Sequence, residues 1–247
     1  KSYYYELALE SAKSLKDRHP DSNITLFTHR RFVDSRAYDV FDEIRVGIPI
    51  FRRARMWCIA RTPYQTTVHI DCDSIITHRD IKSIHDILDT YGYDIMFGSN
   101  LDYTVAKKEL TSVHKTKKWP LTHHGSICVF KNTDINIRFL IRWYKEYIDQ
   151  FYNEWSFDWA YPLWYKFDMF TLWRIINNEG NKFNEFFDMD VGILPRRWNA
   201  TSLDRKQDIY GAPVIKQIDK ETLQSIDYFK NCFKNPIELE ENPNTFD

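Results

Sequence analysis

The chain has 247 residues, room for one or two domains at roughly 150 residues each, and its 43% hydrophobic content excludes disorder as the overall state. Its 34 basic and 35 acidic residues leave a formal charge of −1, which argues against a protein held on nucleic acid by the phosphates. No run of about 18 apolar residues is present to cross a bilayer, and the one unusual figure is the 16% of aromatic residues.

In chain order, residues 3–16 read as an amphipathic helix with Tyr4, Leu7, Ala8, Ser11, Ala12 and Leu15 on one face. His19-Pro20-Asp21 ends it, because proline cannot continue a helix and biases its predecessor away from helical angles. A short β-rich run follows at 24–28. Residues 52–61 read as a helix carrying Arg52, Arg53 and Arg55, and Thr66-Thr67-Val68-His69-Ile70 as a strand. Thr77 is the expected cap of a helix over 78–89, with Asp80 in the capping-box position and Ile81, Ile84 and Leu88 inward. Strands are expected at 94–98 and 126–130. Thr133 or Asp134 then caps a helix whose core face is Ile137, Leu140, Ile141, Tyr144 and Ile148. A helix over 168–178, strands at 191–194 and 213–218 and a helix near 220–230 complete the pass. Strands alternating with helices mean an α/β architecture with at least some parallel pairing.

Residues 1–233 form one domain by this reading, and the Asn-, Pro- and Glu-rich residues 234–247 a poorly ordered tail. Residues 103–123 carry five lysines without apolar periodicity and read as a long loop. Cys58, Cys72, Cys128 and Cys232 are scattered, with no metal-site spacing. Free thiols in a reducing compartment are the expectation, hence a cytoplasmic protein. A luminal catalytic domain with its anchor removed reads the same way.

The sharpest feature is Val68-His69-Ile70-Asp71-Cys72-Asp73. An apolar strand delivers two acids to its carboxyl end, where open α/β sheets place their ligands. Carboxylates so close repel unless a cation or protons neutralise them, which points to a hard divalent metal bridging oxygen ligands and phosphates. The bland alternative is a pair of solvated turn acids.

The segment from Thr62 through Asp71-Cys72-Asp73-Ser74 is similar to the one that carries the D-x-D of GT-A-fold nucleotide-sugar glycosyltransferases. Tyr93-Asp94-Ile95, His124-Gly125-Ser126-Ile127-Cys128-Val129-Phe130, Trp143-Tyr144, Asp168-Met169 and Ile193-Leu194-Pro195-Arg196-Arg197-Trp198-Asn199 resemble further elements of that family in the same order. The resemblance implies a GT-A, Rossmann-like fold: a mixed, mainly parallel sheet flanked by helices on both faces. It implies transfer of a sugar from a nucleotide-diphosphate donor to a glycan or other hydroxyl acceptor, assisted by Mn²⁺ or Mg²⁺. Asp73 would hold the metal directly. Asp71 would reach it through water, or bind the donor's ribose. Gln217 stands where many members bring a late histidine to the metal. Arg55, Gly125 and Ser126 would lie on the donor, and Asp168 would be the acid–base or sugar-side carboxylate, with Asp158 as a substitute.

Departures accompany the likeness. His123-His124 replaces an Asn-Thr or Asn-Ser pair, Met169 replaces a glutamine, and the family's first strand has no counterpart before the first helix. Residues 151–167 hold nine aromatics, among them Trp155 and Trp159. They suit an acceptor wall, because their faces stack on sugar C–H surfaces; plain core and a contact surface are the alternatives. A homo-oligomer and a larger multidomain chain both stay open. Two rival functions remain. One is a haloacid-dehalogenase-type phosphatase, with Asp71 as nucleophile and Asp188 and Asp190 as a later acidic pair. The other is a degenerate transferase fold serving as a binding or scaffold subunit.

Overall fold

The computed structural model describes residues 3–49, 53–99, 123–154, 166–200 and 213–218. The expected loop at 103–123 (save its last residue), Trp155, Asp158, Trp159, the helix near 220–230 and the tail from 234 lie outside them.

The chain begins with α1 (Tyr3–Arg18), β1 (Thr25–Thr28), the single turn α2 (Ser35–Tyr38) and β2 (Glu43–Val46). Strands β1 and β2 pair in parallel. Tyr5, Leu9, Ala12, Leu26, Ala37, Val40 and Phe41 close a small core between them and α1. The face of α1 is rotated from the expected one. Tyr4 is exposed, whereas Tyr5, Leu7, Leu9 and Ala12 are buried, because the helix is covered on two sides: Ser14 Oγ accepts from the Ile76 amide at 2.9 Å on the side away from β1.

The second part is built on β3 (Thr66–Ile70), β5 (Ile95–Ser99), β6 (His123–Lys131) and β7 (Val191–Ile193), in the spatial order β3-β6-β5-β7. Strand β6 is antiparallel to both β3 and β5, and β7 is parallel to β5. Three strands therefore run one way, with β6 inserted against them. One face is covered by α3 (Arg55–Ile59), α5 (Asp134–Tyr152) and α6 (Asp168–Ile176), around Phe97, Cys128, Phe130, Phe139 and Trp143. The other face carries a 3-10 segment (Arg79–Asp86) and α4 (Ile87–Tyr91), with Ile81, Ile84 and Leu88 inward as expected. A small antiparallel pair, β4 (Ser74–Ile76) with β8 (Ile215–Gln217), lies beside it.

Two local expectations change. Thr77 does not cap the 3-10 segment: its hydroxyl donates to the Pro213 carbonyl at 2.5 Å, and the His78 ring accepts from the Asp80 amide instead. Thr133 does cap α5, accepting from the Asn136 amide. The buried stripe of that helix, however, is Asn136, Phe139, Leu140, Trp143, Tyr147 and Gln150. Ile137, Ile141 and Tyr144 flank it, half-buried. Among the described residues Cys58, Cys72 and Cys128 carry free thiols.

Candidate functional site

The site forms at the carboxyl end of β3. Strand β3 pairs with β6 through Ile70 opposite Ile127, and the Asp71 amide donates to the Ser126 carbonyl at 2.8 Å, so Asp71 leaves the sheet still tied to it. Asp73 follows on the turn into β4. Its carbonyl accepts from the Ile218 amide at 2.6 Å, and its Oδ2 lies 3.5 Å from Gln217 Nε2.

Strand β6 is irregular here. Phe97 faces Cys128, but the next β5 residue, Gly98, already faces His124, so three extra residues of β6 are accommodated as a bulge. Bulges re-aim side chains and gather beside active sites. This one presses Gly125 against the face carrying α3 and α5: a Cβ at Gly125 would stand 2.6 Å from Arg55 Nη2 and 2.8 Å from Trp143 Cη2. Only glycine lets the strand come so close. Ser126 turns the other way, to Asn199.

Asp168 opens α6, and α5 grips the chain that delivers it. Trp143 Nε1 donates to the Asp168 carbonyl at 2.8 Å, Gln150 Nε2 to the Phe167 carbonyl at 3.2 Å, and Tyr147 Oη to the Lys166 carbonyl at 3.0 Å. The Asp168 side chain is wholly buried.

Arg55, the first residue of α3, joins the two acids. Nη1 donates to Asp71 Oδ2 at 2.8 Å and Nη2 donates to Asp168 Oδ2. Arg53 Nη1 lies 3.5 Å from Asp168 Oδ1, and its backbone is left-handed with φ 68°. A non-glycine residue there costs on the order of 1 kcal/mol and tends to persist at functional sites. His69 Nε2 meets Asp71 Oδ1 at 3.1 Å. At this corner, Asp168 Oδ1 and Arg55 Nε are buried without a hydrogen-bond partner among the described residues.

The electrostatics separate the two strand-end acids. Burial alone would raise Asp71, but the Arg55 guanidinium and the His69 hydrogen bond overcome it and hold the carboxyl below the usual carboxylate range. Asp73 is raised, by burial first and by the Asp71 charge second. Burial, with Arg55 beside it, pushes the His124 imidazole down to about 4. Asp71 is thus a committed anion whose two oxygens are engaged, whereas Asp73 makes no ion pair among the described residues.

The structure gathers Arg55, Asp71, Asp168, Gly125 and Ser126 around one corner, with Asp73 and Gln217 adjoining. Trp155 and Trp159 lie outside the described residues. Asp190, of the rival acidic pair, sits at the other end of the sheet. Its amide donates to Asp94 Oδ2 at 2.9 Å, where β5 and β7 begin. Since β3, β5 and β7 run the same way, that end is opposite Asp71, and Asp190 stands apart from the corner.

Reading the sequence alone passes over His69, Arg53, His124 and Asn199 as site residues. The alternation of a strand could have found His69, since residues two apart share a face. No local signal marks Arg53, whose contact is with a residue 115 positions away.

No protein-family model matches the sequence, and no curated protein matches it. Among solved structures, the galactosyltransferase LgtC in complex with donor and acceptor sugar analogues aligns at TM-score 0.53 and 12% identity, over 87% of this chain and 83% of that one. An active-site glutamine-to-glutamate mutant of LgtC aligns at 0.47 with 13% identity, over 87% and 83%. Apo mouse xyloside xylosyltransferase 1 aligns at 0.38 with 9% identity, over 88% and 74%. The fold is that of the GT-A glycosyltransferases. At such identity the likeness concerns the fold, and the chemistry must be argued from the corner itself.

Proposed function

We propose that this chain is a glycosyltransferase that moves a sugar from a nucleotide-diphosphate donor to a hydroxyl of a glycan or other acceptor, with a divalent cation at Asp73. One observation carries the reading. Arg55 ties the strand-end carboxylate of Asp71 to the wholly buried one of Asp168, 113 residues after the arginine, and both Asp168 Oδ1 and Arg55 Nε have no hydrogen-bond partner among the described residues. Buried polar atoms without partners cost about 1–3 kcal/mol each, and a polyhydroxylated, anionic ligand would satisfy both kinds.

The residues fit a cation of a particular sort. Among the described residues no three His, Cys, Asp or Glu side chains gather to hold a metal. Asp73 supplies one carboxylate, and a half-turn of the Gln217 amide would supply a second oxygen. Mg²⁺ and Mn²⁺ suit such a place, because they take one or two protein carboxylates and complete their shell with phosphate and water. Bound there, the cation would offset the charge that develops on the diphosphate as the sugar leaves. Arg55 would face the same diphosphate or the sugar, and Gly125 would let the substrate approach the backbone. Asp168, held by Trp143 and two arginines, would accept a substrate hydroxyl on Oδ1. Trp155 and Trp159 are proposed as part of the acceptor wall.

A thermal-shift screen of UDP-, GDP-, dTDP- and CDP-sugars, with and without Mn²⁺, tests the reading. A cation-dependent rise with one nucleotide class is expected, lost in Asp73→Ala. Asp168→Asn should retain binding and lose turnover. Turnover of p-nitrophenyl phosphate with no nucleotide binding would overturn the proposal. Binding without any donor hydrolysis or transfer would instead favour the scaffold reading, for which the substitution of glutamine at position 217 speaks.

A further inference from the structure

His124 sits beside this corner and has no part in the reading above. Its ring is held by a chain of hydrogen bonds that starts from a group with only one option. The Ser99 carbonyl can only accept, and Asn199 Nδ2 donates to it at 2.9 Å. That fixes the amide, so Asn199 Oδ1 must face Ser126 and can only accept in turn. Ser126 Oγ lies 3.0 Å from it, and the single hydroxyl proton is spent there. His124 Nδ1 lies 2.6 Å from the same Oγ. With its proton already placed, Oγ can only accept, so Nδ1 must carry the hydrogen.

A competing contact exists. The Ser126 amide points at Nδ1 from 3.2 Å and asks for the opposite tautomer. Granting it would turn the Ser126 hydroxyl to the ring and leave Asn199 Oδ1, on a buried side chain, facing a lone pair. The shorter contact and the anchored end of the chain decide for Nδ1–H.

Nε2 then carries a lone pair and has no hydrogen-bond partner among the described residues. The ring is only partly buried, and the adjoining Gly125 is pressed against Arg55. Among the described residues, Arg53 Nη1 and both Nη atoms of Arg55 are aimed at carboxylates rather than at this nitrogen, and a neutral acceptor suits an uncharged hydroxyl. We propose that His124 is a substrate-reading residue, set by the Ser99–Asn199–Ser126 chain so that Nε2 accepts a hydrogen bond from a hydroxyl of the donor sugar. This rests on the transferase reading, and it explains why the bulge of β6 ends in an imidazole, which presents one acceptor of fixed direction.

Two measurements test it. The first needs no substrate: long-range ¹H–¹⁵N correlation spectra of the ring should show His124 as the Nδ1–H tautomer in the wild type and lose that bias in Asn199→Leu. An Nε2–H ring in the wild type overturns the proposal. The second uses whichever of UDP-glucose, UDP-galactose, GDP-mannose or GDP-fucose the wild type hydrolyses. His124→Ala should lower kcat/KM by about tenfold, the scale of one neutral hydrogen bond, while affinity for UDP or GDP alone stays within about twofold, less than such a bond is worth. His124→Gln, which returns an acceptor, should recover part of the loss. Equal loss for nucleotide and nucleotide sugar, or no loss at all, overturns the role of His124 and leaves the transferase reading intact. A wild type that hydrolyses none of the four and shows no cation-dependent thermal shift with any UDP-, GDP-, dTDP- or CDP-sugar overturns both, and then the spectra alone cannot save the inference.

Discussion

Two arginines in this molecule each bridge a pair of carboxylates, and they do it in opposite ways. Arg36 is saturated. It makes paired bonds to Glu6, both at 2.8 Å, and reaches both oxygens of Asp34 with Nε at 3.2 Å; Tyr5 Oη also donates to Asp34 at 3.0 Å. Arg55 spends one bond on Asp71 and one on Asp168, with Nε left over. The first cluster staples α2 to α1 and leaves nothing for a ligand. The second is poorer as a staple and richer as a site. Satisfied ion clusters hold a fold together, and unsatisfied buried ones await something.

Removing each arginine in turn should widen that contrast. Arg55→Met leaves Asp168 as a buried carboxylate facing only Arg53, and losing one partner of a buried pair costs about 3–5 kcal/mol. Arg36→Met should cost about 1–2 kcal/mol, because its side chain is 41% exposed and water can take its place. Urea unfolding of the two variants side by side measures this. Equal losses would mean that the corner at Asp71 is ordinary scaffolding.

The next effect is smaller and more local. Gly125→Ala would set a methyl 2.6 Å from Arg55 Nη2 and 2.8 Å from the buried Trp143 ring. The indole cannot retreat, so the guanidinium must. About 1–3 kcal/mol of stability should be lost, in the range for an overpacked core, together with any nucleotide-dependent thermal shift. A variant that keeps the shift would show that Arg55 need not stay where it is.

The difference between the two clusters also marks what a sequence discloses. Arg36 and Asp34 are two residues apart, and runs rich in β-branched and aromatic residues mark strands at 66–70, 94–98 and 126–130; the His123-His124-Gly125 start of β6 carries no such mark. Asp71 and Asp73 stand out because the strand ahead of them is apolar. By contrast, Arg55 meets Asp168 across 113 residues, which no periodicity encodes. Strand β4 escaped notice because three residues after a turn carry no alternation. Strand β2, Glu43-Ile44-Arg45-Val46, has its charges on one side and only Ile44 and Val46 to mark the other. The face of α5 was misjudged by about one residue because Ile137, Phe139, Leu140, Ile141, Trp143 and Tyr144 surround much of the helix, and only the packed sheet chooses among them. The adjacency of Asp71 to Ser126 follows from the pairing of two recognisable strands; the contact of Arg55 with Asp168 does not.

Acid should draw on both clusters, most simply on the first. Hydrogen bonds from Arg36 hold the Asp34 carboxyl below the usual range, ahead of a smaller opposing effect of burial. A carboxyl lowered on folding contributes stability that is fully present above its unfolded value of about 3.9 and is lost progressively as pH falls from there toward the lower folded value. Asp34→Asn should therefore be destabilising at pH 7 and less so at pH 3, so the gap to the wild type narrows without closing. Urea midpoints from pH 7 to pH 3 test this, and parallel curves would mean that Asp34 is paired no better than a surface acid.

The smallest change in stability should come with a large change in binding. Asp73 is partly buried and stands two residues from a committed anion, and the opposing effects of the 3.5 Å Gln217 contact, a backbone hydrogen bond and the Arg55 charge do not outweigh this. In the protein alone its charge is a burden. Asp73→Asn keeps the shape, removes the repulsion from Asp71, and should leave the unfolding midpoint unchanged or raise stability by a few tenths of a kcal/mol, the scale of one screened charge pair. The same variant should lose the cation-dependent response to nucleotides. A residue kept for packing would show the reverse, a loss of stability with binding intact, so the two readouts on one variant separate a carboxylate that supports the fold from one that the fold tolerates for a ligand.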